Sequence, residues 1–360
     1  MPELTNIKAA PAEPAPPAPE AMVEGEEDDY DEEVDLDEFE VGTDYTAPMV
    51  APDFDQPQPE GIVRVPHHKH RFTYRNLIGA RVNPLGLTDR LQIGYRYQLS
   101  DSPETIFQDA YIAGLADIEV TPAFAYVGAR LEYQPAAIFR VFGSYGLMAG
   151  FGTFNYLTSF NNASAEYDDA TLQELREDSA LGPQNMYSAV GNRGQAGATF
   201  QFALGGLGFR NTGRFIYFGL PLENGDSVMW DAFLDILVPN KGWTFQNDAD
   251  LLFLTDKFRL FDNNSRVILG VRHTLTHAIY RDVHRRGTNP DNGHQRVGPL
   301  FALRFIDEDT DQALAFNQVS AFLLTQWWVE HRYRLRENHA LPAITIGVQF
   351  QGDILASAKE

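Results

Sequence analysis

Between Arg71 and Leu99 the chain alternates, residue by residue, between apolar and polar side chains. In the second half Leu91, Ile93, Tyr95, Tyr97 and Leu99 share one face, and Arg90, Gln92, Gly94, Arg96 and Gln98 share the other. The first half sets Phe72, Tyr74, Ile78, Ala80 and Val82, with Asn76 as the exception, against Arg71, Thr73, Arg75, Gly79 and Arg81. An extended strand puts successive residues on opposite faces, so each window has one greasy side and one wet side. The pattern recurs along most of the chain with few helical interruptions, which makes the fold all-β.

Candidate strands follow at 71–82, 90–99, 106–118, 122–133, 138–152, 194–209, 213–222, 227–238, 243–255, 265–280, 295–306, 313–334 and 341–351. Tight connections are marked by GlnProAla at 134–136, AsnThrGly at 211–213, GluAsnGlyAsp at 223–226 and ProAsnLysGly at 239–242. Two connections are long: 153–193, with a short helix expected from Asp169 carrying Leu172 and Leu175 on one side, and the polar 281–294. Short turns on one rim and long loops on the other are the asymmetry of an outer-membrane barrel, which assigns these two loops to the exterior. Such barrels have even strand numbers, so one of the thirteen windows is split or spurious. The expectation is a transmembrane antiparallel up-and-down β-barrel of about 12 strands, within a range of about 10–14. It occupies residues 66–353, between a disordered tail at 1–65 and a short C-terminal tail at 354–360.

No run approaches the roughly 20 apolar residues of a membrane helix, but a barrel strand needs only about 9–11, half of them polar. In a membrane barrel the apolar face meets lipid and the polar face lines the lumen. That assigns Arg71, Arg75, Arg96, Arg130 and Arg140, then Asp231, Asp235, Asp248 and Asp250, to the lumen. Early bases and later acids would then face one another across it. Trp230, Trp243, Trp327, Trp328 and Tyr333 fall near strand ends, where an aromatic girdle sits. A soluble sandwich would bury the same apolar faces between two sheets and remains an alternative at this stage.

Of the chain's 360 residues and net charge of −22, residues 1–60 hold 19 acids and one base, Lys8. The tail therefore carries −18 and the remainder −4, so the acidity belongs to the tail. Ten of the 21 prolines lie there too, a composition that cannot repay the entropy of ordering. Residues 24–45 suit a basic periplasmic partner. A strongly acidic surface is a poor nucleic-acid binder, because phosphate recognition needs clustered Lys and Arg. Residues 1–20 lack a charged segment followed by an apolar one, so a removed leader is the expectation for an exported chain. ProHisHisLysHisArg at 66–71 reads as a basic collar toward lipid phosphates.

Chemistry is sparse. The chain has no cysteine, which removes thiolate metal sites. His273 and His277, four apart in a strand, stand ~13 Å from each other, too far to share an ion. Asp248 and Asp250 are about 7 Å apart on one face and read as lumen lining. His284, His294, Asp282 and Asp291 could form a rim His–Asp pair, but with Arg281, Arg285 and Arg286 they more simply contact anionic lipopolysaccharide. No catalytic residue, metal or cofactor is assigned.

The segments ThrProAlaPheAlaTyrValGlyAlaArgLeuGluTyrGlnProAla (121–136), LeuValProAsnLysGlyTrp (237–243) and GlnTrpTrpValGluHisArgTyrArg (326–334), with the late strand at 341–351, resemble uncharacterised outer-membrane β-barrel proteins of the myxobacterial type. The resemblance covers roughly residues 70–353 and implies an outer-membrane location. It also implies kinship with barrels of the gliding-motility envelope complex, which suits a barrel with an acidic periplasmic arm. The functional expectation is a membrane anchor or porin-like channel of a cell-envelope complex in contact with outer-membrane lipid and lipopolysaccharide. The alternatives are a barrel enzyme acting on lipid or lipopolysaccharide and a soluble all-β binding protein.

Overall fold

A computed structural model describes residues 69–100, 105–108, 110–153, 157–177, 187–204, 206–255, 266–288, 290–307, 318–335 and 341–356. The acidic tail and the first half of the 66–71 collar lie outside them. The strands are β1 (His70–Val82), β2 (Gly86–Gln98), β3 (Tyr111–Val120), β4 (Phe124–Ala136), β5 (Phe139–Gly150), β6 (Ser159–Phe160), β7 (Ala189–Leu204), β8 (Leu207–Gly219), β9 (Val228–Asp231), β10 (Ile236–Pro239), β11 (Gly242–Thr255), β12 (Arg266–Ile279), β13 (His294–Asp307), β14 (Gln318–Glu330) and β15 (Ala343–Ala356). Among the described residues three helices interrupt them: α1 (Thr105–Gln108), α2 (Asp169–Glu177) and α3 (Asp282–Arg285).

Twelve strands close into one antiparallel barrel in the order β1-β15-β14-β13-β12-β11-β8-β7-β5-β4-β3-β2. Closure is made by β1 on β15, from Arg71 against Ala356 to Val82 against Ile344, with one bulge after Phe72. The last strand thus continues three residues past the boundary expected at 353.

Alternation around the closed sheet decides what faces where. Outward lie Ile78, Ile112, Val127, Leu131, Leu147, Val190, Phe215, Leu251, Leu269, Phe301, Leu323 and Ile346, all exposed. Large apolar side chains uncovered around the whole circumference are incompatible with water, and no second sheet covers them among the described residues. The sandwich alternative is therefore excluded. A closed barrel is the sheet that leaves no unpaired edge in hydrocarbon, and the chain is an outer-membrane β-barrel.

Strand direction gives the barrel two unlike ends. The turn end carries the start of β1, the end of β15, and connections as tight as 137–138 and 205–206. The loop end carries the long connections 151–188, 220–241, 280–293 and 331–342. Both loops expected to be exterior leave from this end.

The eighth window, 227–238, is not a barrel strand. Its two halves, β9 and β10, form a hairpin that pairs with β6 in a separate three-stranded sheet, order β10-β9-β6. The side chains of Val228, Ile236, Leu237 and Val238 are wholly removed from solvent. They pack on loop residues Leu157, Ala163 and Tyr167, on Leu172 of α2, and on the inner wall of the barrel through Phe124, Tyr126, Met148, Ile216 and Phe218. The hairpin is a plug, and its seat is an apolar ring inside the loop end. α2 begins at Asp169 as expected, with the Asp168 carboxylate accepting the Thr171 N–H at 2.7 Å.

The AsnThrGly turn expected at 211–213 is also overturned: these residues are mid-strand in β8, and the chain reverses at 205–206 instead. Asn211 lies on the outward face, where its side-chain amide exchanges two hydrogen bonds with that of Asn247, at 3.1 and 2.9 Å. The mutual pairing satisfies groups that would otherwise be costly against lipid. It also removes the reason for reading Asn211 as a turn residue.

Candidate solute passage

The lumen is built from the second face of each strand. Among the described residues, Arg71, Arg75, Arg81, Arg90, Arg96, Arg130 and Arg140 turn inward from β1 to β5, and Arg193, Arg210, Arg214, Arg272, Arg296 and Arg304 from β7 to β13. The inward carboxylates of the barrel strands are Asp117, Glu119, Glu132, Asp248, Asp250 and Asp353. Thirteen cations against six anions on these described strands leave a surplus of positive charge inside a barrel whose chain is acidic overall.

Most of the ion pairs join residues of the same or neighbouring strands, while Arg75–Glu132 and Arg193–Glu119 each reach over two intervening strands. Asp117 on β3 accepts from Arg90 on β2 through both oxygens, at 2.9 and 2.6 Å. Glu132 on β4 accepts from Arg130 at 2.6 Å, from Arg75 at 3.2 Å and from the Tyr111 hydroxyl at 2.9 Å. Asp250 on β11 is held between Arg210 on β8, at 2.9 Å, and Arg272 on β12, at 2.6 and 2.8 Å. Asp248 accepts from Arg214 and, at 2.7 Å, from Thr274. The expected opposition of early bases and late acids is therefore corrected. The late acids have their own late arginines, a register or two away, and the early arginines have Asp117 and Glu132. Inward aromatics flatten several guanidinium groups against the wall: Arg96 lies 4.1 Å from the Tyr111 ring centre and Arg130 4.3 Å from that of Phe142.

Asp231 and Asp235 are corrected as well. Both belong to the plug, because the window that carried them is the plug hairpin. Asp231 closes the hairpin turn: its carboxylate accepts the N–H groups of Phe233 and Leu234, each at 2.9 Å. This is the Asx geometry of a turn, followed by Asp235 in the left-handed region at φ 55°. Asp235 is locked to the wall. Arg334, just past β14, grips its carboxylate with two bonds of 3.1 Å, and Nε2 of His331 lies 3.1 Å from its carbonyl oxygen and 3.3 Å from its carboxylate. Nδ1 of His331 accepts the backbone N–H groups of Tyr333 and Arg334, which leaves the proton on Nε2. Burial alone would raise the Asp235 carboxyl, but His331 and Arg334 outweigh it and hold it well below the usual carboxylate range.

More wall residues grip the plug tip by its backbone. Arg81 donates to the Phe233 carbonyl at 2.8 Å and to that of Ala232, and Nε2 of His294 lies 2.6 Å from the Leu234 carbonyl. His284 in α3 accepts the Arg281 N–H on Nδ1, so its Nε2–H donates to the Asn240 carbonyl at 2.9 Å. Burial, partly offset by that bond, lowers the His284 imidazole and keeps it neutral. The two loop histidines are thus spent on plug carbonyls and form no His–Asp pair with Asp282 or Asp291. Arg332 completes the stitching with the Ala165 and Ser164 carbonyls, each at 3.1 Å.

The girdle is partly corrected. Trp243 and Trp327 face outward and are exposed, with Trp243 resting on Tyr217 at 5.4 Å between ring centres. Trp230 is buried in the plug, Trp328 turns into the lumen, and Tyr333 packs edge-on against Tyr167 over the loop end. The signal that could have found the plug's seat is the loss of alternation near the loop end. In β8 the inward series runs Arg210, Thr212, Arg214 and then Ile216 and Phe218, while Phe215 and Tyr217 face outward.

Beneath the plug lies a chamber of about 120 Å³, roofed by Asp231, Phe233 and Leu234 and walled by Arg90, Arg193, Arg214 and Arg272 among others. Toward the turn end the arginines crowd together, and Arg130, Arg210 and Arg304 are no more than 2% exposed.

No family model matches the chain, and no curated protein matches it. Among solved structures, the NanC porin is similar over 79% of this chain and 100% of its own, at 10% identity and a TM-score of 0.34. The CymD monoaromatic hydrocarbon channel is similar over 80% and 89%, at 9% identity and 0.35. OmpT, an outer membrane protein of Vibrio cholerae, is similar over 79% and 98%, at 9% identity and 0.27. At such identities the likeness is one of barrel architecture, and function has to be read from the residues.

Proposed function

We propose that the chain is a porin-like passage for small solutes that favours anions and is closed at its outer mouth by its own plug. The observation that carries this reading is the surplus of inward arginines beneath an apolar stopper. An inert anchor has no use for a charged interior, whereas a wet lumen with an excess of fixed cations concentrates anions and repels cations. The loop end is outermost in this reading, since outer-membrane barrels keep their longer loops outside. The arm then leaves the barrel on the periplasmic side, because β1 begins at the turn end. Residues 24–45, with their dense acids, would tether a basic partner of the cell envelope there, and no enzymatic step is needed.

Planar-bilayer recording tests the passage. Replacing residues 227–239 by a short Gly-Ser linker is expected to convert a nearly silent barrel into a steadily conducting one, with a reversal potential in a KCl gradient on the chloride side. A variant that still shifts its gel migration on heating, and so is folded, yet conducts nothing would overturn the passage in favour of an anchor.

A further inference from the structure

The chamber under the plug has two kinds of wall. Phe233 and Leu234 of the plug, with Phe218 of β8, make one side apolar. Polar groups that the fold leaves unused line the same chamber. Nε of Arg214, Nε2 of Gln195 and Oγ1 of Thr88 are buried and have no hydrogen-bond partner among the described residues, although all three residues line the chamber and each is about nine-tenths or more buried. A buried donor without a partner costs about 1–3 kcal/mol, so three around one cavity point to a missing acceptor. Water could serve, but water gains nothing from the apolar roof. An acceptor with a short hydrocarbon part uses both walls.

We propose that this chamber is a binding site for a small organic carboxylate, its oxyanion taken by the donors of Arg214 and Gln195 on the adjacent strands β8 and β7 and its hydrocarbon part set against Phe233, Leu234 and Phe218. Size restricts the ligand. An apolar cavity of roughly 150 Å³ accepts benzene, so 120 Å³ suits a carboxylate with a chain of about three or four carbons. The Arg214 guanidinium already holds Asp248, which orients it and leaves Nε for the solute. The site deepens the passage reading by naming its substrate class, and it rests on that reading only for its transport role.

Calorimetric titration of the full chain in detergent, at fixed ionic strength, tests it. Sodium butyrate is expected to bind saturably, one per barrel, while 1-butanol and sodium phosphate give no saturable heat. Gln195→Leu, nearly isosteric, is expected to weaken butyrate about tenfold by deleting one donor to an anion. Its thermal midpoint without butyrate should not fall, as it would if Gln195 were only structural. Gln195→Met serves the same purpose if Gln195→Leu does not fold. Equal binding of butanol or of phosphate overturns the proposal, as does absence of saturable butyrate binding. In that last case an anion-selective current through the plug-deleted barrel keeps the passage and sinks the chamber alone. Saturable butyrate binding with a silent plug-deleted barrel sinks the passage alone.

Discussion

A carboxylate as deeply buried as Asp235 is stable because His331 and Arg334 converge on it. Asp235→Asn keeps the shape and removes the charge, leaving Arg334 to Asp169 alone. Breaking a buried pair costs about 3–5 kcal/mol, so the variant is expected to unfold at lower temperature and to open more often in a bilayer. The Asp235 carboxylate stays ionised in mild acid: its contribution is fully present above the unfolded carboxylate pKa, about 4, and is lost only as pH falls through the lower native value. Asp235→Asn is therefore expected to shorten closed times relative to wild type at pH 5 as well as at pH 7. Asp250→Asn belongs to the same scale. It removes the negative charge that Arg210 and Arg272 share and should move the reversal potential of the plug-deleted barrel further toward chloride. Period-two alternation was enough to read Arg130, Arg140, Asp248 and Asp250 as one inward set, because each stands on a long regular strand. It could not place Trp230 or Trp328, because aromatics near a strand end can turn to lipid, lumen or plug, and the choice depends on which strands flank them.

The plug shows where reading by element fails. Val228, Trp230, Ala232, Leu234, Ile236 and Val238 alternate with the others as in a strand, yet Asp231 folds the chain back between them. A hairpin buried on both faces has no wet side to report, and the period is then coincidental. The telling feature is Asp231 with its two bound N–H groups, a turn signal hidden inside an apolar run. Leu237, wholly buried in this hairpin, should cost about 2–5 kcal/mol as Leu237→Ala, seen as increased protease sensitivity of residues 220–241 in an intact barrel. In the wall, β13 and β14 approach so closely at Gly298 that a Cβ would lie 1.9 Å from the Thr325 carbonyl oxygen. Gly298→Val is expected to prevent that pairing, and the heat-shifted gel form should disappear.

At the level of the whole molecule, the sheet was legible because thirteen windows contained twelve true strands and the extra one became the plug. The plug's seat was not, since an apolar ring inside a wet barrel arises only when distant loops return to one mouth. The outward belt carries its own test. Leu251→Arg places a charge against acyl chains at a cost of about 2–4 kcal/mol near the midplane and should lower recovery of heat-modifiable protein from membranes, whereas Thr345→Arg on the lumen side should assemble. The pairing of β1 with β15 has a further consequence for biogenesis. The first and last strands of the barrel form a single seam, and until Ala343–Ala356 is made both flanking strands would present bare amides to hydrocarbon. No intermediate with eleven strands has a place to rest in the bilayer, so zippering waits for the final segment of the chain. Fragments ending before Ala343 are expected among degraded or aggregated material and never as a bilayer-resident species.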